Sequence, residues 1–72
     1  MSQTAIQQRA EVAFRTRLVF AQYQGIEGET KDDITCDLVN ALMHLADEEG
    51  LDFNEVLTKA SFAYQHEVDN NL

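Results

Sequence analysis

The 72 residues contain no proline and no tryptophan, one cysteine, three glycines and only five basic residues. Each shortage excludes something. Proline is absent and glycine scarce, and these are the residues that break helices, so long helices can run without interruption. The single cysteine, Cys36, rules out an intrachain disulfide, and no Cys/His cluster has the spacing of a zinc site. No apolar run approaches the roughly 18 residues that mark a membrane span. The first residues lack the basic-then-apolar pattern of a secretory signal. Five Lys and Arg against 13 Asp and Glu give a net charge of -8, which speaks against direct nucleic-acid binding, because phosphate contacts need cations. A lone thiol fits a reducing cytoplasm, and no cofactor is expected.

What is present is helical periodicity, which predicts an all-α chain of three helices, about 4–24, 31–48 and 52–69. Glu49-Gly50-Leu51 is the strongest local signal. Gly50 accepts the left-handed conformation that ends helices, and Leu51 can fold back onto the last turn. Asp52, with Glu55 three residues on, opens the next helix as a capping box, and Thr30 with Asp33 offers a similar start to the middle one, with Asp32 competing. The last two helices therefore read as a helical hairpin. Gln24 to Lys31, with Gly25 and Gly28, is a loop that matches no phosphate-cradling motif.

At 100° per residue the middle helix is apolar over most of its circumference. Ile34, Leu38, Ala41, Leu42 and Leu45 form one face, and Cys36, Val39 and Met43 a stripe nearly opposite. The first helix has a main face containing Ile6, Ala10, Ala13, Phe14, Phe20 and Ala21, and a second strip of Val12, Val19 and Tyr23. The last helix gathers Phe53, Val56, Leu57, Ala60, Ala63, Tyr64 and Val68 on one face, with Phe62 projecting from the other. A single domain this short buries roughly 60% of its unfolded surface and is marginal alone. With disulfides and metal clusters excluded, oligomerisation remains. The expected architecture is a homodimeric bundle with Cys36, Val39, Met43, Val12 and Val19 at the interface. Arg17 and Glu67 interrupt otherwise apolar faces and are each other's expected partner, since an unpaired buried charge is costly.

Charge is unevenly spread. Residues 1–25 carry Arg9, Arg15 and Arg17 against Glu11, a balance of +2, whereas residues 26–72 carry Lys31 and Lys59 against twelve acids, a balance of -10. Asp47, Glu48, Glu49, Asp52 and Glu55 crowd the corner of the hairpin. The first three sit at the unfavourable end of a helix dipole, so stability does not account for them. With Phe62 they form the candidate surface for a protein partner. Asp33, Asp37, Asn40, His44 and Glu48 share one sector at helical spacing, but one histidine among acids is not a metal motif. Nothing suggests the pocket that acid–base catalysis needs, and the acid–x–x–acid repeats of MazG-type pyrophosphatases are missing.

The run Asp37-Leu38, Leu42-Met43-His44-Leu45-Ala46-Asp47, Gly50-Leu51-Asp52-Phe53, Ala60, Tyr64 and Glu67 resembles small uncharacterised helical proteins carried by bacterial phages, plasmids and integrative elements. The likeness covers about half the chain. It implies a bacterial, mobile-element origin and an accessory role, and no activity. The leading functional expectation is a small acidic protein-interaction module, binding itself as a homodimer and a second protein. A DNA-mimic inhibitor ranks second, because only Asp33 and Asp37 pair at i, i+4 along the middle helix before Asn40 and His44 interrupt the row. A metal-dependent enzyme or subunit ranks third.

Overall fold

Helix boundaries follow from which side chains and backbone conformations satisfy the orphan groups at helix ends. In the computed structural model, which describes residues 4–72, the chain forms α1 (Ala5–Gln24), α2 (Lys31–Glu48) and α3 (Phe53–Asp69). There is no strand among the described residues. Thr4 caps α1 through a full capping box. Its hydroxyl accepts from the Gln7 N–H at 3.1 Å, and the Gln7 side-chain oxygen accepts from the Thr4 N–H at 3.0 Å. Thr30 accepts from the Asp33 N–H at 3.1 Å, so Thr30 and not Asp32 caps α2. Asp52 accepts from the Glu55 N–H at 3.3 Å at the start of α3.

All three helices end in the same Schellman geometry. At the end of α1, Ile26 N–H donates to the Ala21 carbonyl and Gly25 N–H to that of Gln22. After α2, Leu51 N–H reaches the Ala46 carbonyl at 2.8 Å and Gly50 N–H that of Asp47. Gly25 and Gly50 have φ of 68° and 71°, which side chains with a Cβ adopt only under strain. The third is built without glycine: Leu72 N–H bonds the Glu67 carbonyl and Asn71 takes the left-handed position at φ 55°. The Leu72 carbonyl then accepts the Ile6 N–H at 3.2 Å, fastening the end of α3 to the start of α1.

Packing between the helices is sparse. Among the described residues Ala21, Ile34 and Ala46 are buried, and α3 contributes none. Two of these, Ala21 and Ala46, are the residues whose carbonyls close the turns after α1 and α2. Among the described residues sixteen large apolar side chains are exposed, spread over all three helices and the segments after α2 and α3. They include most of the α3 face expected to be internal: Val56, Leu57, Tyr64 and Val68. The overall extents are 36 × 32 × 18 Å, and the thinnest dimension is less than two helix diameters. The radius of gyration is 14.1 Å, against about 11 Å for a close-packed chain of this length.

Arg17 and Glu67 do not pair. Glu67 instead meets Arg9, Nε to Oε2 at 3.0 Å. Because the end of α3 is tied to Ile6, the arginine within reach of Glu67 lies in the first half of α1. Arg17 is two turns further on, roughly 12 Å along the axis. Its guanidinium donates to the Thr35 hydroxyl at 3.1 Å and lies 5.7 Å from the centre of the Phe14 ring. Thr35 passes its own proton to the Lys31 carbonyl, leaving its oxygen free to accept from Arg17. The charge breaking the α1 face is thus used to join α1 to α2.

Candidate interaction surface

Concave features of this surface lie both between helices and along the outer sides of single helices. One of about 730 Å³ runs between α1 and α2. Its α1 wall is Ala5, Gln8, Arg9, Val12, Ala13 and Thr16, and its α2 wall is Leu38 and Leu42. A second groove of about 420 Å³ separates α1 from α3, with Ile6, Arg9 and Ala10 facing Ala60, Ala63, Tyr64, Glu67 and Val68. Both are apolar troughs, each holding one or two charged groups. They lack the convergent polar side chains of an enclosed ligand site.

The residues expected at a dimer interface are all solvent-exposed: Val12, Val19, Cys36, Val39 and Met43. They do not form one patch. Val12 lines the α1–α2 groove, and with Arg15, Thr16 and Val19 it also lines a shallow recess further along α1. On α2, Leu42 lines that groove and Val39 lies one i, i+3 step beside it. Cys36 and Met43 sit further round the helix, more than 90° from Leu42. The sequence pattern left Thr16 and Leu42 out of the interaction surface. The signal that could have found Thr16 was the seven-residue recurrence Ala5, Val12, Val19, with Thr16 and Tyr23 interleaved. Leu42 fell on the face read as internal.

The acidic corner is exposed throughout: Asp47, Glu48, Glu49, Asp52 and Glu55. Glu55 pairs with Lys59 at 3.4 Å, and Asp52 is occupied as a helix cap. Phe62 is 76% exposed and lies beside Leu57, Thr58, Ser61 and Gln65 on the outer side of α3. Asp37, Asn40 and His44 line a recess of about 410 Å³ with Phe20, Gln24, Ile26 and Ala41. Among the described residues no group of three or more His, Cys, Asp or Glu is placed to hold a metal ion, and no helix is long and apolar enough to cross a membrane.

No protein-family model, curated protein or solved structure matches this chain, so the surface itself is what bears on function.

Proposed function

We propose that this chain is a small acidic protein-interaction module whose working form is a homodimeric helical bundle, with an accessory rather than a catalytic role. One observation carries the reading: the amount of surface left uncovered. The chain exposes 6107 Å², whereas a close-packed protein of 8.2 kDa exposes roughly 4,500 Å². The excess is on the order of 1,500 Å² and is largely apolar side chain on α1, α2 and α3. An apolar surface of that extent on a soluble chain marks an association site. In such a dimer the helical pair α2–α3 supplies the acidic corner, and that corner is the face offered to a basic protein partner.

Sedimentation velocity across a range of concentrations tests the reading. The expected species has twice the 8.2 kDa mass of one chain. A folded monomer up to several hundred micromolar would refute it. For the second partner, charge reversal at Asp47, Glu48 and Glu49 is expected to abolish binding in low salt, with Phe62→Ala leaving it intact. The opposite pattern assigns the docking to Phe62.

A further inference from the structure

We propose that the α1–α2 groove is the seat of a second copy of this chain, related by a twofold axis that passes beside Thr16, so that the Val12–Val19 ridge of each α1 lies in the groove of the other copy. This rests on the self-association argued above and adds where it occurs.

Three observations converge on this face. The first is area. Two chains, each over-exposed by about 1,500 Å², have on the order of 3,000 Å² to cover together, within the range of obligate homodimers. Beside the α1–α2 groove of about 730 Å³, Val12 and Val19 stand two turns apart on α1, 59% and 49% exposed, as a ridge of apolar side chains. A ridge adjacent to a groove is what a twofold interface requires, since each copy must supply both halves of the fit.

The second is charge. Two chains of net charge -8 repel each other wherever their carboxylates face. The groove and its ridge contain no carboxylate. Their two arginines are already neutralised within the chain, Arg9 by Glu67 at 3.0 Å and Arg15 by Glu11 at 2.9 Å. A locally neutral face suits a copy of itself. It offers neither a basic nor an acidic partner a complementary field. The third is the floor. Ala5 and Ala13 are small enough for close helix approach, and the Thr16 hydroxyl donates to the Val12 carbonyl at 2.9 Å. Burying Thr16 therefore leaves no unmet donor.

Cysteine cross-linking of the full chain decides the matter. Val12→Cys and Thr16→Cys are made in a Cys36→Ser background, with Phe62→Cys as the outer-face control, and each is treated with a short bis-maleimide. Helicity is checked by circular dichroism. The expected result is rapid covalent dimer from Val12→Cys and Thr16→Cys, at least tenfold faster than from Phe62→Cys. A dimer by sedimentation that cross-links through Cys36 in the unsubstituted chain or through Phe62→Cys, and not through the α1 positions, overturns this placement and leaves self-association standing. A folded monomer overturns both. Val12→Asp provides a second readout: dimer dissociation is expected to become at least tenfold easier, and an unchanged dimer would refute the placement.

Discussion

Replacing Gly50 by alanine isolates the turn between α2 and α3 from every packing effect. At φ 71° a β-carbon sits too close to the following carbonyl, at about 1–2 kcal/mol. A Cβ built there meets no atom within 4 Å, so no clash with the rest of the fold adds to that figure. Alanine also narrows the unfolded ensemble, which returns about 0.4–1 kcal/mol. The net expectation is destabilisation of about 1 kcal/mol, a fall in melting temperature of roughly 4–8 °C for a domain of this size. Gly28 is the matched control. It too has open space around its Cβ but no positive φ, so only the unfolded-state effect acts and Gly28→Ala is expected to stabilise by about 0.4–1 kcal/mol. Gly50→Asn should lose less than Gly50→Ala, because Asn71 already occupies the same left-handed position after α3. Thermal denaturation followed at 222 nm measures all three. Protein concentration is held fixed, since association shifts the midpoint. Equal shifts of the same sign for Gly50→Ala and Gly28→Ala would refute the backbone argument.

Ile34 is the largest buried side chain, and Ile34→Ala is expected to destabilise by about 2 kcal/mol, the low end for such truncations because an open core collapses easily; urea denaturation measures it. Glu48→Lys removes an unfavourable charge from the end of α2 and adds a favourable one, so it should raise stability by about 0.5–1.5 kcal/mol. If the same variant weakens partner binding, the acidic corner is kept for recognition at the expense of stability. The Arg9–Glu67 pair has one largely exposed partner, the Arg9 side chain at 75% against 17% for Glu67. At protein concentrations where the chain is monomeric, Arg9→Met should therefore destabilise by less than about 1 kcal/mol in dilute buffer and by still less in 1 M salt. A loss above 2 kcal/mol would mean that the pair is desolvated in the assembled protein.

Local grammar determined the helices. Thr4, Thr30 and Asp52 as N-caps, and Gly25 and Gly50 as left-handed stops, act through bonds that close within six residues. No distant part of the chain is needed to read them, and the expected bounds agree with the observed ones to within a residue. The third stop uses Asn71, a residue equally at home in a loose end, so the sequence alone does not mark it. Side-chain periodicity likewise gives α1 and α2 each a second apolar stripe. Tertiary structure decided what periodicity does not encode, namely which helix ends meet. The hydrogen bond from Ile6 to Leu72 places Glu67 beside Arg9 and out of reach of Arg17, which turns to Thr35 instead. It also decided which apolar positions stay in water. A wheel assigns a residue to a face of its own helix, but whether that face is covered depends on the distance to the next helix. At Leu42, Leu57 and Tyr64 nothing among the described residues closes that distance.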